Sequence, residues 1–422
     1  MIKELKQKIY NLLRWSEKYT KTDMLYLAKG GSWLTLGQVV SSASIFLLAI
    51  AFANLLPRET YGTYKYVLSL IGILAIATLP GMSTAITQAV ARGYEGSFLP
   101  ALKTKIRWGL LGGLASLILA GYYYFQGNTT LTISFLISAA FLPFMDSLNI
   151  YGSLLTGRKL FNISTKFGIV TQIISAATMV SALFLTNNIF LILFTYFISH
   201  TLLRFIFLKI TLKKFFPNQK QDPNTISYGK HLSLMGVINT VATYLDRLLV
   251  FHYLGAVQLA IYSFAIAMPE QIKGYFKNIS TLALPKLSKR SFKEINSVLY
   301  KRLLKLFIAG GLIAGIYILT APYIFKIFFP KYLDSIFFSQ LFAITIVLRL
   351  PYSLFSAVGQ SKLTLTPKGM LYWTNVLPQL ILVGSLFLLT KLYGIPGVIV
   401  AKYIFLISTF IIGFIFRSED VV

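Results

Sequence analysis

About twelve apolar runs, each long enough to cross a bilayer, divide this chain of 422 residues. They fall near 31–55, 64–90, 106–125, 130–155, 165–185, 188–208, 231–254, 259–280, 303–328, 335–358, 370–390 and 393–416. A crossing helix needs roughly 20 predominantly apolar residues. Inside hydrocarbon each backbone N–H and C=O must be satisfied within its own element, so such runs are read as helices. The chain is therefore expected to be an all-α polytopic membrane protein. Charged residues make up 13% of it, against about 25% in a soluble protein.

The short segments between runs alternate in charge. One set carries Arg92, Lys103, Lys105, Arg107, then Arg158, Lys159, Lys166, then Lys209, Lys213, Lys214, Lys220 and Lys230. It continues with Lys286, Lys289, Arg290, Lys293, Lys301, Arg302, Lys362, Lys368 and Arg417. The other set is nearly bare, with Arg58 and Lys65, then Lys326, Lys331 and Lys391. Basic residues collect on the cytoplasmic side, so an even number of crossings with both termini cytoplasmic is expected. Lys and Arg outnumber Asp and Glu 40 to 13. In a soluble chain that excess would point to nucleic acid. Here it sits in membrane loops, and no nucleic-acid partner is expected.

No short apolar core precedes a small-residue cleavage site, so a cleavable signal is not expected. Instead Ile2, Leu5, Ile9 and Leu12 repeat at helical spacing among Lys3, Lys6, Lys8 and Arg14. That pattern reads as a basic amphipathic helix lying on the membrane surface. The longest polar break runs from Lys213 to Tyr228 and holds Pro217 and Pro223. The expected organisation is an amphipathic segment 1–28, a six-helix bundle 29–212, a linker 213–228 and a second six-helix bundle 229–422. The halves resemble each other weakly. Leu142-Pro143-Phe144 recurs as Leu350-Pro351-Tyr352, and Pro57–Tyr64 resembles Gly255–Tyr262. Two six-helix halves in one orientation imply a twofold along the membrane normal, with a substrate path between them. Pro80, Pro143, Pro269, Pro351 and Pro378 lie inside runs, where proline kinks or breaks helices. Gly311-x-x-x-Gly315 matches a helix-packing pattern.

Within this apolar frame Asp246 and Arg247 stand side by side, deep in the run 231–254. A charge at that depth costs about 2.5–3.5 kcal/mol on insertion scales and normally faces protein or water. Neighbours on a helix are rotated by roughly 100°, so one side chain is expected to meet another helix and the other a cavity. The alternative is a purely structural ion pair. The remaining deep charges are Asp146, Arg204, Glu270, Arg349 and Lys402, with His200 beside Arg204. Arg204 is near a run's end and can snorkel. Arg247, Arg349 and Lys402 all belong to the second half, so a cavity there would be cationic. Arginine suits pyrophosphate through paired hydrogen bonds. Asp246, Asp146 and Glu270 are the groups available to neutralise these bases or to carry a coupling ion.

Several chemistries are not expected. Gly152 to Gly157 has Walker-like spacing, but Arg158-Lys159 follows where Lys-Ser or Lys-Thr is required, so ATP is not the direct energy source. His200, His231 and His252 lack metal spacing. There is no cysteine, which excludes disulfides. The glycosylation-type matches at Asn128, Asn162 and Asn278 are read as accidental. No cofactor, metal site or enzymatic constellation is expected.

The order of motifs resembles the polysaccharide-repeat-unit flippases, the O-antigen and capsule branch of the multidrug/oligosaccharidyl-lipid/polysaccharide exporter superfamily. The resembling stretches are Lys29-Gly-Gly-Ser-Trp33, Leu56-Pro-Arg-Glu-Thr-Tyr-Gly-Thr-Tyr64, Gly81-Met-Ser-Thr-Ala-Ile-Thr87, Tyr244-Leu-Asp-Arg247, Tyr253-Leu-Gly255 and Ala260-Ile-Tyr262. The resemblance implies a V-shaped exporter fold and a multi-pass location in the bacterial inner membrane. It implies that undecaprenyl-pyrophosphate-linked oligosaccharide is moved across that membrane by alternating access driven by an H+ or Na+ gradient. The family's cationic cavity would fall on Arg247 by motif, and on Arg349 and Lys402 by depth. Partners implied are the lipid-linked oligosaccharide, membrane lipids, a polysaccharide polymerase and a chain-length regulator. The two extra helices of the peptidoglycan-precursor branch are not seen. The rival readings are a drug/cation antiporter of the same superfamily, which would want an acidic cavity, and a non-transporting scaffold for polysaccharide assembly.

Overall fold

A computed structural model describes residues 24–288, 292–361 and 368–418. The expected amphipathic segment lies almost entirely outside these residues, as do Lys289, Arg290 and Lys362. Among the described residues, ten helical stretches are long and apolar enough to cross a membrane. Two of them, Thr225–Ile272 and Val376–Ile412, run to 48 and 37 residues. Each is bent by one glycine in a non-helical conformation, Gly255 at φ 86° and Gly394 at φ 63°. Positive φ costs glycine nothing and strains other residues, which is why the chain reverses there without a loop. Each bent stretch crosses twice, giving twelve crossings in two six-helix bundles.

We number the crossings in order. In the first bundle α1 is Met24–Leu55 and α2 is Arg58–Leu74 with, past a break, Gly81–Ala91. Next come α3 (Phe98–Phe125), α4 (Thr129–Met145 continued by Tyr151–Gly157), α5 (Phe161–Leu185) and α6 (Ile189–Lys214). In the second, α7 is Thr225–Met235 continued to 254, and α8 is 256–288. Then come α9 (Phe292–Phe328), α10 (Ser335–Ala343 with Thr345–Ser361), α11 (368–393) and α12 (395–418). We call the membrane face where α6 passes to α7 the linker end, and the opposite face the far end.

Most helices begin or end several residues beyond the apolar runs. α3 starts at Phe98, so Lys103, Lys105 and Arg107 lie in its first turns rather than in a loop. α2 starts at Arg58, so Lys65 lies two turns inside a crossing helix rather than in the far-end loop where its charge had placed it. Of the five prolines, two coincide with breaks. Leu79 takes a left-handed conformation at φ 55° and Pro80 opens the second part of α2. Pro143 precedes the end of the first part of α4 at Met145, followed by a 3-10 turn over Ser147–Ile150. Pro269, Pro351 and Pro378 sit inside continuous helix. The Gly311/Gly315 pattern does not pack. A Cβ at either would meet nothing within 4 Å, whereas one on Gly310 would fall 3.0 Å from Val347 of α10. The packing face is one residue off, through Gly310, Ala314, Tyr317 and Ala321, the last three buried.

The bundles meet along two seams. At the far end α2 lies against α7 and α8, so tightly that a Cβ on Gly62 would sit 1.8 Å from the carbonyl oxygen of Ala256. Tyr66 stacks on Phe251 at 3.8 Å, and Tyr61 packs against Phe264 at 4.8 Å. Arg58 pairs with Asp334 at 2.8 Å and also donates to the Lys331 carbonyl. Lys331 donates to the Asn54 carbonyl at 2.7 Å, and the Asn54 amide donates to the Phe328 carbonyl at 3.0 Å. At the linker end the second part of α2 packs on the start of α7, where the Gly81 N–H donates to Ser233 Oγ at 3.0 Å. The linker is fastened to the first bundle. Arg158 grips both oxygens of Glu95 at 2.6 and 2.5 Å, the Asn218 N–H donates to the same carboxylate at 3.1 Å, and Arg92 pairs with Asp222 at 2.5 Å.

Candidate functional site

Asp246 and Arg247 diverge as adjacent helical residues must. Asp246 turns into the second bundle and is 1% exposed. Its Oδ2 accepts from Lys402 Nζ of α12 and from the Tyr262 hydroxyl of α8, both at 2.6 Å, and its Oδ1 accepts the Arg247 N–H at 2.7 Å. One buried carboxylate thus ties α7, α8 and α12 together. Removing such a charge from water is costly, and only a close counter-charge with further donors offsets it. Lys402 had been expected to face a cavity. It is instead 7% exposed and engaged by this carboxylate.

Arg247 turns the other way, into a cleft of about 310 Å³ lined by Ile45, Lys65, Arg247, Ser263, Ile266, Ala267, Glu270 and Gln271. These residues come from α1 and α2 of the first bundle and from α7 and α8 of the second. Arg247 pairs with Glu270 at 3.2 Å, their side chains 22% and 30% exposed. At 1.5 Å per residue the cleft's charged groups lie about 10–20 Å below the far-end turns, near the middle of the bilayer. The Lys65 amine stands 5.3 Å over the Tyr61 ring. Among the described residues no carboxylate is within ion-pair distance of it. Arg349, on α10, is within electrostatic reach of Glu270 and Asp246. Its guanidinium lies 5.5 Å over the Phe342 ring, and its Nη1 is buried without a hydrogen-bond partner.

Asp146 belongs to a separate cluster in the first bundle. Its Oδ2 accepts from Thr78 Oγ1 at 2.9 Å and from Lys105 Nζ at 3.3 Å. Lys105 is fully buried and also donates to the Leu79 carbonyl at 3.2 Å, which at the break in α2 also accepts the Met82 N–H at 3.0 Å. Arg204 does not simply snorkel. It donates to the Met145 carbonyl at 2.6 Å, where the first part of α4 ends. A basic side chain thus reaches a carbonyl at each helix break. His200 packs edge-on against Tyr196 at 4.9 Å.

Lys65, Ser263 and Gln271 are the cleft residues the sequence reading did not single out. A signal for Lys65 was present. Pro57 followed by Glu59 in the first turn is a helix start, and counting from it puts Lys65 at depth. Ser263 and Gln271 are uncharged positions in an apolar helix and carry no such signal.

Two six-helix bundles joined by a fastened linker, with broken helices and a charged mid-membrane cleft between them, define a V-shaped multi-pass membrane fold. The chain itself belongs to the polysaccharide biosynthesis protein family, whose model matches residues 27–291. It is similar to "Lipid II flippase MurJ, inward closed conformation", with a TM-score of 0.68 and 18% identity over 93% of this chain and 87% of that one. It is also similar to a multidrug resistance MATE family transporter of the MOP superfamily in its outward-facing conformation. There the TM-score is 0.62, with 12% identity over 93% of this chain and 97% of that one. At these identities the likeness is one of fold. A curated relative, "Uncharacterized membrane protein MJ1068" of Methanocaldococcus jannaschii, is 24% identical over 343 residues. The match takes in 74% of this chain and spans 66% of that protein's length. The chain is thus a multi-pass membrane protein of the polysaccharide biosynthesis protein family.

Proposed function

We propose that this protein is a lipid-linked oligosaccharide flippase, carrying undecaprenyl-pyrophosphate-linked glycan across the bacterial inner membrane by ion-coupled alternating access. The observation that carries the reading is the sign of the cleft. Two bases from opposite bundles, Lys65 and Arg247, share it with one acid, Glu270, and Arg349 adds its field from α10. A diphosphate bridging Lys65 and Arg247 binds both bundles at once, so its affinity depends on how they are apposed. A ligand drives a conformational change only through such differential affinity. The polyprenyl chain stays in lipid beside α1 and α8, whose Ile45 and Gln271 border the cleft. In this reading Lys402 acts on the site by holding Asp246, and the coupling ion is carried by one of Asp246, Asp146 or Glu270. Both termini and the linker end face the cytoplasm, where the basic loops gather. The polymerase and chain-length regulator act on the product.

The test is replacement of Arg247 by Ala in a strain lacking its native flippase, with surface polysaccharide as readout. Export is expected to fall at least tenfold at unchanged protein level. Normal export would remove Arg247 from the mechanism. The drug/cation antiporter reading draws on the likeness to the MATE fold and on Glu270 in the cleft. Drug resistance on expression without any polysaccharide effect would favour it.

A further inference from the structure

The helices α2 and α7 run antiparallel, one from each bundle, and a glycine of α2 meets α7 at three levels. Near the far end Gly62 lies against the Ala256 carbonyl. Toward the linker end a Cβ on Gly81 would fall 2.5 Å from the Ser233 nitrogen. At the level between them, what stands opposite the glycine is a side chain. A Cβ on Gly72 would fall 2.4 Å from Cζ of Tyr244, and 2.6 and 2.8 Å from its two Cε atoms. The Tyr244 ring thus reaches out of the second bundle and is seated on the first, in room that only glycine leaves.

Tyr244 stands three residues before Arg247, so the two share one face of α7. The Arg247 guanidinium lies 5.8 Å from the centre of the Tyr244 ring, within the reach of a cation–π contact. Its other contact is Glu270 at 3.2 Å. A ring supports a guanidinium without cancelling its charge, which a carboxylate cannot do. The Tyr244 hydroxyl makes no hydrogen bond among the described residues, so what the residue supplies is its ring.

We propose that Tyr244 is a positioning residue for the anion site: seated on Gly72, its ring holds the Arg247 guanidinium in place while the two bundles are apposed along α2 and α7. The inference rests on the flippase reading and says how the affinity of that site is regulated. Fixing one long, rotamer-rich side chain at the moment of binding weakens affinity about two- to tenfold. A guanidinium already held by a seated ring does not carry that cost. When the bundles part along this seam, Gly72 leaves the ring, the ring turns freely, and Arg247 loses its support. The diphosphate is then held more tightly in the apposed state than in the parted one. That difference between states is what lets opening of the seam release it.

The experiment is calorimetric titration of the purified full chain with inorganic pyrophosphate, with thermal unfolding of each variant alongside. Wild type, Tyr244→Phe, Tyr244→Leu, Gly72→Ala, the double variant Gly72→Ala/Tyr244→Leu and Arg247→Ala are compared. Tyr244→Phe keeps the ring and should bind as wild type does. Tyr244→Leu should bind about two- to tenfold more weakly. Gly72→Ala alters neither α7 nor the cleft lining, yet should weaken binding to a similar extent by unseating the ring. In the double variant it should add nothing to Tyr244→Leu, because both act through one contact. Unchanged affinity in Tyr244→Leu and Gly72→Ala, whatever their loss of stability, makes Tyr244 a packing residue. That result overturns this proposal and leaves the flippase reading standing. Losses that add in the double variant overturn it too, and so does a Tyr244→Phe as weak as Tyr244→Leu. Should Gly72→Ala fail to fold, the comparison of Phe with Leu at position 244 decides. No pyrophosphate binding by wild type, or undiminished binding by Arg247→Ala, overturns the anion site and this proposal with it.

Discussion

Lys402 can be separated from the substrate path by a double-mutant cycle with Asp246. In Lys402→Met the carboxylate of Asp246, 1% exposed, keeps Tyr262 and one N–H but loses its one counter-charge at ion-pair distance among the described residues. Stranding one member of a buried pair costs about 3–5 kcal/mol. Asp246→Asn strands the ammonium of Lys402 instead, at a similar cost. In the double variant the amide oxygen still accepts from Tyr262, and methionine fills the space of the lysine stem. Its cost should be only about 1–2 kcal/mol, in the usual range for an altered hydrogen bond. The coupling energy is then about 4 kcal/mol or more, measured by reversible unfolding in mixed micelles. Export should fall in both single variants in step with folded protein and return in the double variant. Costs that add to within about 0.5 kcal/mol would show that the pair is not an energetic unit. Recovered stability without recovered export would give the Asp246–Lys402 pair a direct role in transport and refute the reasoning.

Further outcomes follow from the cleft, the far-end seam and the linker. Lys65→Ala should lower export about tenfold without lowering the amount of folded protein, and Lys65→Arg should retain most of it, as polysaccharide assays will show. The chain has no cysteine, so Arg58→Cys with Asp334→Cys leaves two thiols facing across the far-end seam, separated by the space of the lost arginine and too far for a direct disulfide. A short bis-methanethiosulfonate should bridge them and stop export, and a reductant should restore it; export by the crosslinked protein would show that this seam does not open. Asp222 accepts the Asn224 N–H at 3.0 Å and faces the Arg92 guanidinium, which together hold its carboxyl below the usual range. A depressed folded value means that the fastening is complete above the unfolded value, about 3.9, and lost as pH falls through the folded one. Amide exchange around residues 218–225, corrected for intrinsic rates, should stay slow from pH 7 to about 5 and quicken below about 4. Loosening as pH rises would contradict the assignment.

The crossings were legible because hydrocarbon leaves the backbone so few choices. Length and polarity sufficed for twelve helices, and the tight reversals fell at Gly255, between two runs, and at Gly394, at the start of the last one. Helix ends were less so. A helix continues past the hydrocarbon as long as its residues favour it, so hydropathy trimmed α2 at 64 and α3 at 106. That trimming put Lys105 in a loop and left Lys65 at the very edge of a run, where it was grouped with the loop charges. The proline expectation was half legible for a related reason. A proline frees backbone groups, but whether the helix parts depends on what can satisfy them. At Leu79 and Met145 the chain supplies Lys105 and Arg204 as donors to carbonyls at the breaks. That pairing of a break with a base from another helix is tertiary and leaves no local trace. The Gly311/Gly315 error has the same origin. Small residues one position apart mark faces rotated by roughly 100°, and only the neighbouring helix decides which is used.

What makes the cleft chemically distinct emerges when the deep charges are matched one against another. Lys105 is answered by Asp146 and Lys402 by Asp246, each base largely or fully buried beside its acid. Such pairs are close to neutral at a distance. Arg247 shares Glu270 through a single longer contact. Lys65 has no acid at ion-pair distance among the described residues, and Arg349 keeps a buried nitrogen without a partner. The surplus is therefore positive, and in the cleft it is gathered from the three helices α2, α7 and α10; the further base Arg204 of the first bundle shares the field of Asp146 with Lys105 and is held by the Met145 carbonyl. An unanswered cation at this depth is costly to keep. If it were structural, a nearby carboxylate would offset it, as the other two sites show. A transported anion offsets it only while bound. The same charges would repel a cationic drug, so the sign of the surplus is the physical ground on which the flippase reading stands above the antiporter.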